Sequence, residues 1–158
     1  MNLKILRYPH KVLRTKTDEV EKFTQSLQEI SEEMIDEMIR NGGVGLAAPQ
    51  VGLNLRMFVS NQIEPYVFIN PQWRPSPSGF PYLIIEGCLS FPGWIIPVER
   101  YDAILIEYDK LDGERVKGRL KKFQAQIFQH ETDHLDGKLI VDHLTKAQQK
   151  TINNAFRR

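Results

Sequence analysis

Near its carboxyl end the chain reads Gln129-His130-Glu131-Thr132-Asp133-His134-Leu135-Asp136-Gly137. On an α-helix, residues four apart lie on one face, so the imidazoles of His130 and His134 can reach a single metal ion. Glu131 can then act as general base toward a metal-bound water. Two such histidines can also be core residues with satisfied hydrogen bonds, but burying Glu131 beside them is costly without a cation. The stretch predicts a metallohydrolase helix and leaves open the third ligand and the substrate.

The composition is that of an ordinary globular protein. The 158 residues are 41% hydrophobic and 26% charged, which predicts one domain over residues 1–158 with its own core. A net charge of +1 argues against a general nucleic-acid binder. No apolar run approaches the roughly 20 residues of a membrane span, and the amino terminus lacks a signal-peptide apolar region. The single cysteine suits a reducing compartment, so we expect a cytoplasmic protein.

Apolar residues at helical spacing predict a first long helix that begins at Ser26. Ser26 and Glu29 form a candidate capping box, and Gly42-Gly43 are expected to stop the helix. Its apolar face is predicted to be buried in the core, with the acidic residues on the opposite face in solvent.

A second long helix is predicted from about residue 120 to 136, closed by Gly137. Thr145 and Gln148 form a candidate capping box for a short carboxyl-terminal helix within residues 145–158. The buried stripe of the second helix is predicted to contain Phe123, Ile127, His130 and His134.

Between the two long helices the chain is predicted to form β-structure, because short runs there are rich in β-branched and aromatic residues. The proline-rich segment Pro71–Gly79 is predicted to be a loop. The candidate strands are Leu55–Val59, Tyr66–Ile69, Tyr82–Ile85, Ile95–Val98, Ala103–Tyr108 and Arg115–Leu120.

A segment rich in glycine and alanine precedes these strands and reads Gly43-Val44-Gly45-Leu46-Ala47-Ala48-Pro49-Gln50-Val51-Gly52. Small residues at this density let another backbone or a ligand approach closely. It is not a phosphate-binding loop, because no Gly-Lys-Ser/Thr follows. Taken alone, the segment predicts a tight turn that leads into a strand.

The third metal ligand does not follow the usual peptidase patterns. A metzincin needs a histidine where this chain has Ile140, and His143 lies three residues too far along. A thermolysin-type site needs a downstream glutamate, but no acidic residue follows Asp142. Cys88 is the best candidate, because a thiolate binds soft or borderline divalent ions strongly. The alternative for Cys88 is a small apolar residue of the core.

Three segments resemble, in order and spacing, the signature motifs of the peptide deformylases. The opening Ile5-Leu6-Arg7-Tyr8-Pro9 is also similar to that family, so the resemblance extends to about Leu144. The three segments are Gly43-Val44-Gly45-Leu46-Ala47-Ala48-Pro49-Gln50, Glu86-Gly87-Cys88-Leu89-Ser90 and Gln129-His130-Glu131-Thr132-Asp133-His134.

The resemblance implies an α+β fold with mixed, largely antiparallel sheets around a central HExxH helix. It also implies a hydrolase that removes the formyl group from the N-terminal formyl-methionine of nascent polypeptides and releases formate. The metal-ligand roles of the family fall here on Cys88, His130 and His134. One divalent ion is implied, Fe²⁺ in most members, with Zn²⁺ or Ni²⁺ able to substitute.

The other roles implied by the resemblance fall on Glu131 as the base and on Gln50 and the Leu89 N–H as donors to the formyl oxygen. The substrate-binding positions are Val44, Gly45, Gly87 and Ile127.

Three further charged residues are candidates for supporting the site. A pair between Glu86 and Arg100 is expected to steady the Cys88 loop, and Asp133 is expected to orient a ligand histidine. For each of them the alternative is an ordinary surface charge.

The sequence departs from the family in two places. Residues 91–97 hold no arginine to help bind the peptide, and the first one after the motif is Arg100. Gln126, one turn before His130, introduces polarity where the methionine pocket is usually apolar or small. We therefore expect altered side-chain preference and peptide affinity, with catalysis intact.

The resemblance implies formyl-methionyl nascent peptides as the binding partner, with transient ribosome contact. We expect a monomer, with no membrane and no direct nucleic-acid partner. Two other functions stay open at this point. A Cys–His hydrolase with Cys88 as nucleophile leaves Glu131 and His134 without a role. A non-catalytic deformylase-like module would only dock on ribosomes or nascent chains.

Overall fold

The computed structural model describes residues 3–156. In chain order, its α-helices and strands are α1 (Gln25–Arg40), β1 (Gly45–Ala47), β2 (Met57–Ser60), β3 (Val67–Pro75), β4 (Pro81–Gly87), β5 (Ile95–Tyr101), β6 (Ala103–Asp109), β7 (Arg115–Lys121), α2 (Lys122–Leu135) and α3 (Lys146–Phe156). Short 3₁₀ helices at Lys11–Arg14, Ala48–Val51 and Ile140–His143 connect them. Among residues 3–156, no helix is long and apolar enough to span a membrane.

The strands form two separate sheets, and each described strand pair is antiparallel. One sheet has five strands in the order β1-β2-β3-β6-β7, and the other is the two-stranded ribbon β4–β5. Together with three helices, these sheets confirm the predicted α+β class.

The core lies on both sides of the five-stranded sheet. Leu27, Met34 and Met38 of α1 are buried in one cluster with β1 and β2. In a second cluster, Ala125 and Phe128 of α2 are buried with residues of β2, β3 and β6. Strand β2 is buried at all four positions, as expected for a strand covered on both faces. Helix α2 contacts both β1 and the ribbon strand β5, which places it centrally.

The helix predictions are confirmed in position and corrected in two details. The predicted capping box of Ser26 and Glu29 is wrong: α1 begins one residue earlier, after Thr24, and has no side-chain cap. Gly42 ends α1 in the left-handed region, at φ +70°. In α2, Phe123 is 49% exposed and does not join the buried stripe predicted for it.

The loop predicted over Pro71–Gly79 is wrong for its first half. Strand β3 continues to Pro75, and its pairing with β6 shifts register between Ile69 and Gln72. Pro71 lies inside this irregularity, where a residue without an N–H can be accommodated in a strand. Proline in the sequence therefore marked a bulge and not the end of the strand.

The segment predicted as a tight turn is more regular than expected. It forms the short strand β1, which pairs with β2, and the 3₁₀ helix Ala48–Val51. The carboxyl-terminal capping box is present, since Thr145 N–H donates to Gln148 Oε1 at 3.0 Å and Gln148 N–H donates to Thr145 Oγ1 at 3.4 Å. The final residues, Arg157 and Arg158, lie outside the described part of the chain.

Candidate metal centre

Three potential metal ligands converge where α2 meets the turn after β4. His130 and His134 lie one turn apart on α2, and their Nε2 atoms are 3.2 Å apart. The Cys88 Sγ lies 3.3 Å from His134 Nε2. The three ligand atoms are all within 4.8 Å of one another.

This donor set fits a divalent transition metal. In a tetrahedral site with Zn–N and Zn–S bonds of ordinary length, neighbouring donors are about 3.3–3.6 Å apart, close to the spacings found here. Burial lowers the pKa of His134 well below its usual value, which keeps the imidazole in the neutral form that binds metals. Burial also opposes charge on His130, but hydrogen bonds to Cys88 and Glu86 outweigh it and raise the pKa of His130. The same negative surroundings would stabilise a cation.

A buried chain of charges orients His130. Its Nδ1 lies 2.8 Å from Glu86 Oε2, which directs Nε2 toward Cys88 and His134. Arg100 donates to both oxygens of Glu86, at 2.8 and 3.0 Å, and to Asp133 at 2.6 Å. Burial would raise the pKa of Glu86, but hydrogen bonds from His130 and Arg100 outweigh it and lower that pKa to about 2. Glu86 is therefore ionised at neutral pH.

Asp133 contacts Arg100 and not a ligand histidine, so Glu86 makes the contact that was expected of Asp133. Burial would raise the pKa of Asp133, but hydrogen bonds from His143 and Arg100 lower it to about 2. The Nε2 of His143 lies 3.2 Å from Asp133 Oδ2. The sequence did not predict that His143 contacts Asp133. His143 follows the end of α2, and only the turn after that helix brings it to Asp133.

Gln50 is held in one orientation beside the three ligands. Its Oε1 accepts a hydrogen bond from the Ala47 N–H at 2.9 Å. Its Nε2 donates to Ser90 Oγ at 3.1 Å and lies 3.5 Å from Cys88 Sγ. Ser90, which carried no predicted role of its own, therefore fixes the Gln50 amide. The amide N–H₂ group faces the ligand cluster.

Glu131 is only 4% exposed, and its Oε2 is a buried oxygen with no hydrogen-bond partner in the described residues. Burial raises its pKa to about 7. A carboxyl group with this pKa can both accept and donate a proton near neutral pH. A buried, unsatisfied oxygen of this kind calls for a functional explanation.

A cleft of about 740 Å³ opens onto the ligand cluster. Its lining includes the four predicted substrate positions Val44, Gly45, Gly87 and Ile127. It also includes residues that carried no predicted binding role: Arg7, Ile85, Trp94, Ile95 and Phe123. Arg7 belongs to the amino-terminal segment and places a guanidinium-bearing residue at a cleft whose expected arginine is missing. Gln126 lines the cleft as well, as expected.

The comparisons with known proteins agree with one another. A family model described as polypeptide deformylase matches residues 2–150. The peptide deformylase of Dictyoglomus thermophilum is 44% identical over 141 residues, covering 89% of this chain and 91% of that protein. The peptide deformylase of Endomicrobium trichonymphae is 37% identical over 160 residues, covering 99% and 94%.

Solved structures give the same result. The crystal structure of Thermotoga maritima peptide deformylase has a TM-score of 0.86 at 38% identity, covering 92% of this chain and 99% of that one. Peptide deformylase from Ehrlichia chaffeensis in complex with actinonin has a TM-score of 0.90 at 32% identity, covering 98% and 95%.

Proposed function

The chain belongs to the polypeptide deformylase family, and on that premise we propose how its cleft removes the formyl group from formyl-methionyl polypeptides and releases formate. The enzyme is a metal-dependent hydrolase of protein biosynthesis. The observation that carries the proposal is the cluster of Cys88, His130 and His134 beside the buried Glu131. The family assignment does not favour a Cys–His hydrolase or a non-catalytic docking module.

Cys88, His130 and His134 would hold one divalent ion. We assign Fe²⁺, the ion that the family resemblance implies, and the same thiolate and imidazole donors also suit Zn²⁺ and Ni²⁺. When bound, the ion acidifies water and polarises the carbonyl of the substrate. Glu86 and Arg100 fix the tautomer of His130 through the hydrogen bonds already described.

Glu131 is the general base and then the general acid. It takes a proton from the attacking water and returns it to the nitrogen of the leaving methionine amine as the bond from the formyl carbon to that nitrogen breaks. A pKa of about 7 suits both transfers at neutral pH. Because Oε2 has no partner among the described residues, it is available for this proton.

Gln50 Nε2 and the Leu89 N–H stabilise the negative charge that develops on the formyl oxygen. Losing one donor of this kind typically costs about 2.7–4 kcal/mol of barrier. The Gln50 amide needs little reorganisation, since Ala47 and Ser90 already fix it. Leu89 lines the same cleft directly after Cys88.

The substrate enters along the backbone of Val44 and Gly45 on one side and Gly87 on the other. Ile127, 4% exposed, contacts the methionine side chain, and Gln126 makes that pocket more polar than an aliphatic residue would. We also propose that the peptide-like inhibitor actinonin, bound in the Ehrlichia chaffeensis enzyme, binds this cleft.

We propose that residues 1–158 act as one monomeric catalytic domain. The packing of Phe156 of α3 against Phe91, with ring centroids 5.7 Å apart, supports the inclusion of the carboxyl-terminal helix. Its substrates are formyl-methionyl nascent chains, met during transient contact with the ribosome in the cytoplasm of a bacterium or of the host of a virus.

The test is formate release from formyl-Met-Ala-Ser by anaerobically purified, iron-loaded protein, with metal analysis of the same sample. The variant Glu131→Gln should retain the metal and lose about a hundred- to ten-thousand-fold in kcat. Glu29→Gln, an exposed glutamate on α1, is the matched control and should keep full activity. Full activity of Glu131→Gln would remove Glu131 from the role of base.

A further inference from the structure

The ribbon β4–β5 has an exposed apolar outer face. Leu83, Ile85 and Ile95 are 71%, 69% and 73% exposed. The pairing places Ile85 opposite Pro97 and Gly87 opposite Ile95, so these side chains are neighbours on one surface. We call these residues, Leu83, Ile85, Ile95 and Pro97, the outer ribbon face.

The sequence of the ribbon is typical of strands that are covered on both sides. Its inner face is already buried through Ile96 and Val98, at 2% and 0% exposure. A sheet with one solvated face normally alternates apolar and polar residues, whereas near-continuous apolar runs belong to sheets with both faces covered. Within residues 3–156 nothing covers the outer ribbon face. Apolar patches of this kind mark binding sites.

The outer ribbon face continues directly into the catalytic cleft. Ile85 and Ile95 line the cleft together with Cys88 and Glu131. Gly87 lies between them, and a Cβ on it would contact Ile95 Cγ2 at 3.9 Å, so glycine leaves this side of Ile95 uncovered. A chain whose formyl group lies at the metal ligands can therefore extend over Ile95 and Ile85 before it reaches Glu99, which is exposed opposite Leu83.

We propose that the outer ribbon face binds aliphatic side chains at positions three to five of the substrate, so the enzyme favours nascent chains that are apolar just after their first two residues. This inference rests on the proposed function. Ile85 and Leu83 precede Cys88 by three and five residues, about 10 and 17 Å along a strand. An extended substrate whose formyl group lies at the metal ligands spans the same distances at its third and fifth residues.

A second copy of the chain fits this face less well than a peptide does. A patch of four side chains offers a few hundred Å² at most, roughly the size of the largest apolar patch on an ordinary monomer. A stable dimer buries about 800 Å² on each partner. A substrate that is already anchored at its formyl-methionine needs only a small additional contact.

The test compares two amidated pentapeptides, formyl-Met-Ala-Leu-Val-Leu and formyl-Met-Ala-Ser-Asn-Ser, on the metal-loaded enzyme. We expect kcat/KM to be about five- to tenfold higher for the apolar peptide, mainly through KM. The double variant Leu83→Thr/Ile85→Thr should bring the ratio close to one, and threonine preserves the β-propensity of the strand. The control Ile39→Thr removes an equally aliphatic residue, 57% exposed on α1 and outside the cleft, and should keep the wild-type ratio.

Three outcomes would overturn the inference. Equal turnover of both peptides by the wild type would refute it and leave the deformylase function standing. An unchanged ratio in the double variant, with its fold verified by circular dichroism, would place the preference elsewhere. A wild-type dimer that the double variant converts to a monomer in light scattering would assign the face to a second copy. Failure to release formate even from formyl-Met-Ala-Ser would instead refute the proposed function.

Discussion

Gly45 lies against Glu131 so closely that a Cβ at position 45 would be 2.4 Å from Glu131 Oε1. A Cβ cannot lie at that distance unless the Glu131 carboxylate moves, so glycine at this position lets β1 pass Glu131 with the carboxylate in place. The contact links the glycine-rich segment to the HExxH helix. The close approach of the backbone also shields Glu131 from solvent on this side.

Gly45→Ala should displace the Glu131 carboxylate and lower kcat about a hundredfold, because a displacement of about 1 Å costs that much in an aligned site. Metal content should stay at the wild-type level, since the ligands lie elsewhere. The matched control is Gly118→Ala, where the new Cβ would contact Ile106 at an ordinary 3.6 Å. Wild-type kcat in Gly45→Ala would show that Glu131 can relax without loss of function.

Removal of the metal should abolish formate release and expose Cys88. Because this is the only cysteine, a thiol reagent should react with one group per chain after chelation and with almost none in the metal-loaded protein. Cys88→Ala should purify with little or no metal, whereas His10→Ala, which alters an exposed histidine, should retain it. A fully reactive thiol in the metal-loaded enzyme would contradict ligation by Cys88.

Arg100→Met should destabilise the protein by about 3–5 kcal/mol, because Glu86 and Asp133 would remain as buried charges without their cation. Metal affinity should also fall about 10–100-fold, since Arg100 would no longer hold the Glu86 carboxylate that orients His130. The measurements are urea unfolding and metal titration. The control Arg115→Met breaks a pair with Asp109 in which the arginine side chain is 35% exposed, and it should cost about 1 kcal/mol or less. Similar losses for both variants would refute the buried network as a source of stability.

The stability of the metal-free protein should depend on the ionisation of Glu131. Its folded-state pKa is raised to about 7 from an ordinary value of 4.5, so the unfolded chain releases this proton first. The stability contribution of Glu131 is therefore greatest below pH 4.5 and falls as the pH rises toward 7. Metal-free Glu131→Gln should be more stable than metal-free wild type at pH 8, by about 3 kcal/mol, and equally stable at pH 4. Parallel stability curves for the two proteins would contradict the raised pKa.

The local chemistry of the site could be predicted from the sequence because it depends on short-range geometry. Two histidines four residues apart on a helix lie on one face wherever the helix is packed. The pattern alone therefore predicts that the imidazoles of His130 and His134 lie side by side. The ends of the two long helices could be predicted for a similar reason. Gly42 and Gly137 adopt the positive φ that other residues avoid, and glycine at these positions marks a helix end. Cys88 could be proposed by elimination of the downstream ligands and by family resemblance.

Other features needed the tertiary structure. The proximity of Cys88 to His134, 46 residues later in the chain, depends on how the ribbon packs against α2. The same packing decides that Glu86, and not Asp133, contacts the Nδ1 atom of His130. The sequence pattern did not predict this choice. The bulge at Pro71 could not be predicted from the sequence, because only the pairing of β3 with β6 reveals it.

The apolar strands of the ribbon show most clearly which features the sequence determines and which the tertiary structure decides. The sequence by itself determined that β4 and β5 are rich in aliphatic residues on both faces, which predicts strands but not their surroundings. Only the folded chain decided that Val98 is buried while Ile85 and Ile95 remain exposed beside the cleft. The physical reason is that residue type and spacing fix local conformation, whereas burial depends on which distant segments pack against each face.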